Sequence, residues 1–247
     1  MKIGLFIPCY IDAIYPKVGM ATLELLQRFG VHVEVPLDQT CCGQPMSNEG
    51  DQKRAAGAQK LFCKNFAGYD YIVGPAGSCV KQVRMHMDAI PQLPEVKRIR
   101  KNTYELVEFL TDILRVSQFP WARFNHRIAI HNSCSSIRGL HLASRSEWME
   151  PRFNKTEALL QKVEGIQIEH IDRPDECCGF GGTFCVADEP VSAKMGQDKV
   201  ADYVRHKIEY VVSPDMSCLM HQSGVSEKQR MPLSYLHVAQ VLNNGPF

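Results

Sequence analysis

Ten cysteines stand out in this chain of 247 residues, because eight of them fall into two sets with the same arrangement. In each set a single cysteine is followed by a vicinal Cys-Cys-Gly and then by another single cysteine. Thiolates are soft ligands that select zinc, copper(I) or iron–sulfur clusters. Four thiolates in one place suit either a tetrahedral zinc ion or a cluster. The two sets are Cys9, Cys41, Cys42 and Cys79, and Cys134, Cys177, Cys178 and Cys218.

Two other uses of cysteine fit the repeated sets less well. A buried free cysteine packs as a small hydrophobe, and that interpretation suits Cys63, which lies in a helical segment and has no counterpart in the other set. Disulfides are rare in reducing compartments, and adjacent cysteines bridge each other only in a strained ring. Neither half contains the Cys-x-x-Cys knuckles of zinc ribbons, and adjacent thiolates suit a multi-iron group. Iron–sulfur is therefore favoured over zinc.

The sequence around the cysteines is itself duplicated, since four landmarks recur in the same order. They are an apolar run ending in cysteine, an alternating run leading to Cys-Cys-Gly, an aromatic run leading to Pro-x-x-Ser-Cys, and a helix-like stretch. The duplication predicts two domains, 1–122 and 123–247, with Pro120 and a polar cluster at the boundary. The matching segments are 3–9 and 128–134, 31–43 and 166–179, 71–79 and 210–218, and 104–110 and 236–242.

Short β-branched runs alternate with stretches of helical spacing along both halves. This alternation predicts an α/β fold of two pseudo-symmetric repeated domains, each a small parallel sheet flanked by helices. Ligands of such sheets bind beyond the carboxyl ends of the strands, which is where the repeated cysteines fall. The predicted strands are 3–7, 31–35, 70–73, 127–131, 166–170 and 208–212, and the predicted helices are 17–29, 51–66, 79–88, 103–116, 153–164, 189–207 and 233–243.

Composition and charge argue against several classes of protein. The chain has 28 Lys and Arg against 27 Asp and Glu, a net charge of +1, so it lacks the basic excess typical of nucleic-acid binding. No apolar stretch approaches the roughly 18 residues of a membrane-spanning helix. The apolar run at 3–9 is too short for a signal peptide. We therefore expect a cytoplasmic protein with no nucleic-acid partner and no membrane span.

The cysteine sets and the strings around them resemble the duplicated cysteine-rich CCG domain. That domain occurs in the heterodisulfide reductase B subunit, in the iron–sulfur subunit of glycolate oxidase and in the lactate utilization protein A family. The last of these is most similar, and the resemblance covers essentially the whole chain. The strings that carry it are Cys41-Cys-Gly-Gln-Pro45, Gly74-Pro-Ala-Gly-Ser-Cys79, Cys177-Cys-Gly-Phe-Gly-Gly-Thr-Phe184 and Ser213-Pro-Asp-Met-Ser-Cys218.

The resemblance implies an iron–sulfur oxidoreductase or electron-transfer component of a multi-protein system that oxidises L-lactate to pyruvate. It also implies two partner proteins, the B and C components of that system. The sequence contains no evident flavin or nicotinamide fold, so a partner is expected to supply that chemistry. The same partner is a candidate to bind the small-molecule substrate.

The chain departs from the full CCG motif, in which each set ends in Cys-x-x-Cys. Ala76 and Asp215 stand where the first cysteine of that pair would be. Four cysteines per domain remain, which is enough for one [4Fe–4S] cluster in each, whereas the five-thiolate noncubane cluster lacks a ligand. Asp215, through its carboxylate, and Cys185, through its thiol, are candidate extra ligands.

Two alternatives to the electron-transfer interpretation stay open from the residues alone. One is a zinc-binding scaffold subunit. The other is a thiol–disulfide reductase of the heterodisulfide type, which uses the vicinal cysteines directly. His131 and Arg138 bracket Cys134, and they are expected either to offset the negative charge of a thiolate-bound group or to serve ordinary structural roles.

Overall fold

The computed structural model describes residues 1–244, and within this range the chain forms two four-stranded parallel sheets, one in each half. The strand orders are β2-β1-β3-β4 and β6-β5-β7-β8, so the second sheet repeats the first. The predicted α/β fold of two repeated units is confirmed. The strands are β1 (Lys2–Leu5), β2 (His32–Glu34), β3 (Tyr71–Gly74), β4 (Thr103–Glu105), β5 (Arg127–Ile130), β6 (Gln167–Ile168), β7 (Tyr210–Ser213) and β8 (Ser234–His237).

Helices connect the strands and cover both sheets. Across residues 1–244, none of them is both long enough and apolar enough to cross a bilayer. In the first half they are α1 (Cys9–Ile14), α2 (Pro16–Arg28), α3 (Gln44–Asn48), α4 (Gln52–Phe66), α5 (Gly77–His86), α6 (Pro94–Lys101), α7 (Leu106–Glu108) and a π-helical segment (Phe109–Ile113). In the second half they are a π-helical segment (Ser135–Gly139), α8 (Lys155–Leu160), α9 (Phe184–Ala187), α10 (Glu189–Arg205), α11 (Met216–Gln229) and α12 (Val238–Asn243).

The strands are apolar on both faces because each sheet lies between two hydrophobic cores. Along β1 and just beyond it, Leu5 faces one core and Phe6 faces the other, as the two-residue period of a strand requires. The first core is shared, since it joins Leu5 and Leu25 of the first half to Ile128 and Leu242 of the second. Each such side chain contributes about 1.5–3 kcal/mol on full burial.

The two halves are joined by reciprocal helix packing, in which α2 contacts α12 and α7 contacts α8. Hydrogen bonds also hold α12 in place, with Asn243 Nδ2 donating to Glu24 of α2 at 2.7 Å and Trp121 Nε1 donating to the carbonyl of Leu242 at 2.9 Å. The proposed domain boundary near residue 122 stays a prediction, because residues on both sides of it fill one core. Residues 245–247 of the second predicted domain lie outside the described part of the chain.

The structure differs from the predicted elements at the last strand of each sheet. Residues 103–116 and 233–243 were each expected to be one helix, but β4 and β8 occupy their starts. Thr103 and Tyr235 are β-branched or aromatic residues, and they pair with β3 and β7 respectively. Each strand passes directly into a helix. Neither part of the segment is long enough to show a clear two-residue or 3.6-residue apolar period, so the pattern does not reveal where the strand ends.

Candidate metal centres

Each half brings its four repeated cysteines to the carboxyl-terminal edge of its sheet. Cys9 opens α1 shortly after β1, and Cys134 precedes the π-helical segment that follows β5. Cys79 and Cys218 lie in the first turns of α5 and α11, after β3 and β7. The vicinal pairs lie in the loops that follow β2 and β6. The parallel topology therefore gathers thiols that are far apart in sequence.

The four thiols of the first half form a continuous chain of contacts, which we call the first site. The thiols of Cys9 and Cys42 lie close enough to Cys41 to interact with it, and the Cys79 thiol lies close to Cys42 in the same way. Cys42 and Cys79 are only 3% and 5% exposed, whereas Cys9 is open to solvent. The first site thus has a buried wall and one accessible side.

The thiols of the first site do not lose their protons equally. Hydrogen bonds from Cys42 and Cys9, together with the N–H of Gly43, hold the pKa of Cys41 far below its usual range. The same hydrogen bond to Cys41, the bond to Cys79 and burial raise the pKa of Cys42 well above normal. Further thiolates in this cluster need a compensating cation, and a bound metal supplies one.

The second site repeats this arrangement with Cys134, Cys177, Cys178 and Cys218. The thiols of Cys134 and Cys178 lie close enough to Cys177 to interact with it, and the Cys218 thiol lies close to Cys178 in the same way. Cys178 and Cys218 are 3% and 7% exposed, while Cys134 is open to solvent. The hydrogen bond with Cys177 and burial raise the pKa of the Cys134 thiol.

Glycine after each vicinal pair gives both sites the same turn. Gly43 and Gly179 have φ angles of 86° and 90°, in the left-handed region that favours glycine. The turns direct the glycine N–H groups to the Sγ atoms of Cys41 and Cys177, each at 3.4 Å. Backbone donors to sulfur are a means by which proteins tune thiolate-bound clusters.

Helix N-termini contribute to both sites. Cys79 is the third residue of α5, and Cys218 is the third residue of α11. The N-terminus of a helix carries partial positive charge and favours a thiolate near it. Both helices therefore place the positive end of their dipole beside a cysteine of the site.

Asp215 lies between the two sites and is fully buried. Its Oδ1 accepts hydrogen bonds from the N–H and hydroxyl of Ser217 at 3.2 and 2.6 Å, and from the Tyr10 hydroxyl at 3.3 Å. Its Oδ2 accepts a hydrogen bond from the N–H of Ser78 at 2.7 Å. Both carboxylate oxygens are thus engaged by protein donors, and a ligand role for Asp215 stays a prediction.

The two positions that depart from Cys-x-x-Cys meet each other where the halves join. Ala76 and Asp215 form an isolated antiparallel bridge. Tyr10 lies beside it, close enough to Cys79 and Cys218 to sense the charge of both. Burial, followed by the Asp215 carboxylate, raises the pKa of Tyr10 well above its usual value. The two thiol sites are therefore neighbours across this junction.

The remaining cysteines lie apart from these thiol chains. Cys185 is in α9, and its thiol donates to the carbonyl of Gly182 at 3.0 Å. Cys63 is in α4, and its thiol donates to the Met87 sulfur at 3.8 Å. The proposed ligand role of Cys185 stays a prediction, while the position of Cys63 agrees with a packing role.

Arg138 does not present a free cation to Cys134. Its guanidinium binds Glu147 at 2.6 and 2.9 Å and reaches Asp175 at 3.4 Å. These carboxylates neutralise it locally, and the hydrogen bond to Glu147 raises its pKa further. Arg138 therefore holds the loop beside the second site rather than acting as a separate counter-ion.

A second group of potential metal ligands is held by an arginine. Asp172, Asp202 and His206 have ligand atoms within 4.8 Å of one another. Arg205 donates to Asp172 at 3.0 Å and to Asp202 at 2.9 Å, so its positive charge already neutralises the pair. This arrangement is an ion-pair network that ties α10 to the loop after β6.

The donor sets at the two cysteine sites fit a thiolate-bound metal group. All ten cysteines of the chain are free, and eight of them are arranged as two connected groups of four. Four thiolates are the ligand set of tetrahedral zinc and of iron–sulfur clusters. The second site has one further candidate, because a ring nitrogen of His131 lies within 4.8 Å of the Cys178 and Cys218 thiols.

Comparison with known proteins agrees with this arrangement. The cysteine-rich domain family CCG matches residues 3–84 and 128–222, and each match includes one complete set of four cysteines. Lactate utilization protein A of Halalkalibacterium halodurans is 36% identical over 248 residues, covering 99% of this chain and 97% of that protein. The protein of the same name from Geobacillus thermodenitrificans is 37% identical over 248 residues, covering 99% of both. This chain belongs to the lactate utilization protein A family.

One solved structure shares the fold of this lactate utilization protein A family member. A hypothetical protein from Helicobacter pylori superposes with a TM-score of 0.59 at 9% sequence identity. The match covers 99% of this chain, which spans 48% of that longer protein. The likeness concerns the fold alone. The family resemblance stated from the sequence is confirmed by the closer relatives.

The cysteines are evident in the sequence, whereas the residues that join the two sites are not. Tyr10 follows Cys9 directly, yet nothing in its surroundings indicates that its hydroxyl reaches Asp215. Glu105 and His237 are fully buried and accept hydrogen bonds from the starts of α7 and α12. They occupy equivalent places at the ends of β4 and β8, so recognising those strands would have found them.

Proposed function

We propose that this chain is an iron–sulfur electron-transfer component of a multi-protein system that oxidises L-lactate to pyruvate. The observation that carries the proposal is the pair of connected four-thiol groups, adjacent across the Ala76–Asp215 junction. Each group would hold one [4Fe–4S] cluster, the first through Cys9, Cys41, Cys42 and Cys79, and the second through Cys134, Cys177, Cys178 and Cys218. The chemistry that such clusters supply is electron transfer.

The stoichiometry of the reaction suits two such sites. Oxidation of a 2-hydroxy acid to a 2-oxo acid releases two electrons and two protons, and a [4Fe–4S] cluster passes electrons singly. Two neighbouring clusters can take up the pair in succession. The chain's own residues would bind the clusters, donate backbone N–H groups to sulfur and bury one side of each site. The exposed cysteines Cys9 and Cys134 mark the side on which electrons would be exchanged with a partner.

We further propose that the partners are the B and C components of a lactate utilization system, and that the chain works in the cytoplasm. The names of its relatives support the pathway. The near-neutral net charge of +1 favours protein partners over nucleic acid. A partner that carries flavin or nicotinamide would supply the lactate-oxidising chemistry.

Metal analysis after strictly anaerobic purification tests the central proposal. We expect about eight irons and about eight acid-labile sulfides per chain, with EPR signals on reduction. Cys42→Ser and Cys178→Ser should each remove about half of the iron. Cys63→Ser is the matched control, because Cys63 is partly buried outside both sites, and it should retain all of the iron.

A zinc-binding scaffold is the second candidate, and one observation favours it. His131, Cys178 and Cys218 form a buried group with ligand atoms within 4.8 Å of one another, which is a plausible part of a tetrahedral zinc site. Zinc without iron, in a preparation where clusters of a known iron–sulfur protein survive, would support the scaffold and contradict electron transfer. Iron lost from one site in each serine variant would contradict the scaffold.

A further inference from the structure

His131 places its ring beside the buried end of the second site, and one of its ring nitrogens has no hydrogen-bond partner within residues 1–244. Its side chain follows β5 and is fully buried, and its ring lies within 4.8 Å of the Cys178 and Cys218 thiols. Nδ1 is 3.3 Å from the hydroxyl of Tyr203, whereas Nε2 has no hydrogen-bond partner anywhere in residues 1–244. A buried polar atom without a partner costs about 1–3 kcal/mol, so its persistence calls for a ligand.

Among residues 1–244, no histidine forms such a group with the thiols of the first site. The duplicated apolar runs place Phe6 where the second half has His131. Phe6 is fully buried and packs edge-on against Phe62 and Phe66, with ring centroids 5.0 and 5.9 Å away. The two thiol sites share cysteine positions and glycine turns, but at these equivalent positions one has Phe6 and the other has His131.

The contact between the Tyr203 hydroxyl and Nδ1 bears on which ring nitrogen of His131 carries the proton. A neutral imidazole carries one N–H and one acceptor nitrogen. When the Tyr203 hydroxyl donates to Nδ1, the ring proton is on Nε2, the atom that lacks a partner. Sulfur atoms of a group bound at the second site would then be the acceptors available to that N–H.

We propose that His131 Nε2–H donates a hydrogen bond to the sulfur ligands of the second site, and that this bond gives the second site the higher reduction potential of the two. The inference rests on the proposed iron–sulfur function and deepens it. Donors to sulfur stabilise the reduced, more negative form of a cluster and raise its potential. Electrons would then pass from the first site, which has Phe6, to the second, which has His131.

Replacement of His131 by the residue of the first half tests the proposal. Redox titration followed by EPR should resolve two midpoint potentials in the wild-type protein. His131→Phe should lower the higher potential toward the other and leave the iron content unchanged. Tyr203→Phe retains the imidazole but removes the hydroxyl beside Nδ1, and it should shift the same potential by less. The two variants change different buried side chains, so if one of them fails to fold, the other still tests the proposal.

Either of two results would overturn the proposal. Unchanged potentials in both variants would mean that His131 does not act on the second site. Loss of about half of the iron in His131→Phe would make His131 a ligand instead of a donor. A measurement without iron separates this inference from the proposed function. With zinc bound to the thiols, long-range proton–nitrogen correlation NMR should find the ring proton of His131 on Nε2. A proton on Nδ1 would overturn the donor role. Absence of iron from the wild-type protein would contradict the proposed function and the order of potentials, whereas the zinc-loaded protein would still decide whether His131 Nε2 is the donor.

Discussion

The carboxylate of Asp215 accepts a hydrogen bond from the backbone N–H of Ser78, in the opposite half of the chain, at 2.7 Å. Its other oxygen accepts one from the N–H of Ser217 at 3.2 Å. Ser78 is the second residue of α5, and Ser217 is the second residue of α11. One side chain therefore caps the two helices whose first turns carry Cys79 and Cys218. Ala76 has no side chain able to cap either helix.

Asp215→Asn should destabilise the metal-free protein by about 2–4 kcal/mol. The amide keeps one oxygen acceptor but turns an N–H₂ group toward one of the two helix starts, so a buried donor loses its charged acceptor. Urea unfolding of metal-free protein measures the change without contribution from cluster loss. Cooperative unfolding of the two halves should persist, since the shared core is untouched.

Asp51→Asn is the matched control for this variant. Asp51 caps α4 alone, through the N–H of Arg54 at 3.0 Å, and it is partly exposed. Asparagine caps a single helix about as well as aspartate, so the cost should be a few tenths of a kcal/mol. If Asp51→Asn and Asp215→Asn lowered the free energy of unfolding equally, capping of two helices by Asp215 would contribute no more than the capping of one.

The cysteine sites were predictable from the sequence because their geometry follows from topology. Strands of a parallel sheet end at one edge, so cysteines that follow different strands converge whatever their separation along the chain. The junction between the sites was not predictable in this way. The pairing of Ala76 with Asp215 and the reach of Tyr10 depend on how the two halves pack, and no local periodicity records that packing.

The last strand of each sheet shows a second limit of sequence reasoning. Thr103–Glu105 and Ser234–His237 are too short to establish a two-residue period before a helix begins. Glu105 and His237 are strand ends and helix caps at once, a combination typical of neither class of segment. Their burial follows from the sheet edge beside them, which is a tertiary property.

His237 should make the stability of the metal-free protein fall as the solution is acidified. Burial lowers the pKa of His237 from 6.5 to about 4. Between these values the unfolded chain binds a proton that the folded chain does not, so stability is lost as pH falls from 6.5 to 4 and is unaffected by this group above 6.5. The shift corresponds to about 3 kcal/mol across that range.

His237→Asn isolates this contribution. Asparagine can accept the hydrogen bond that His237 Nδ1 now takes from the N–H of Ala239 at 3.1 Å, and it does not titrate. The free energy of unfolding of both proteins is measured with urea at pH 7, 5.5 and 4. Between pH 7 and pH 4 the wild type should lose about 3 kcal/mol more than the variant. Parallel curves would contradict the assignment. His131 is buried in both proteins and cancels from the difference.

Removal of the metal group should destabilise the wild-type protein. Ligands that bind only the folded chain add RT ln(1 + [L]/Kd), about 3 kcal/mol at a hundredfold excess over Kd. Thermal unfolding before and after anaerobic reconstitution with iron and sulfide measures the gain. Cys42→Ser should retain about half of it, because the second site stays intact. Identical unfolding temperatures with and without metal would mean that the metal group does not bind the folded chain in preference to the unfolded chain.

Gly77→Ala should destabilise the contact between the halves beside the two sites. A Cβ at residue 77 would lie 2.3 Å from the Oγ of Ser136. Either Ser136 must rotate and lose its hydrogen bond with Ser133, or α5 and the π-helical segment of the second half must separate. Such overpacking costs about 1–3 kcal/mol. Gly57→Ala is the control, because a Cβ there meets open space in the middle of α4, and alanine should stabilise the protein by up to about 1 kcal/mol.

A double variant decides whether the clash with Ser136 is the cause. Ser136→Ala removes the Oγ atom and also its hydrogen bond with Ser133 at 2.9 Å, so it carries a cost of its own. If the clash dominates, Gly77→Ala should cost less in the Ser136→Ala background than in the wild type, with a coupling free energy of about 1 kcal/mol or more. Additive costs, measured by urea unfolding of the metal-free proteins, would instead assign the loss to the first turn of α5, where Cys79 is held.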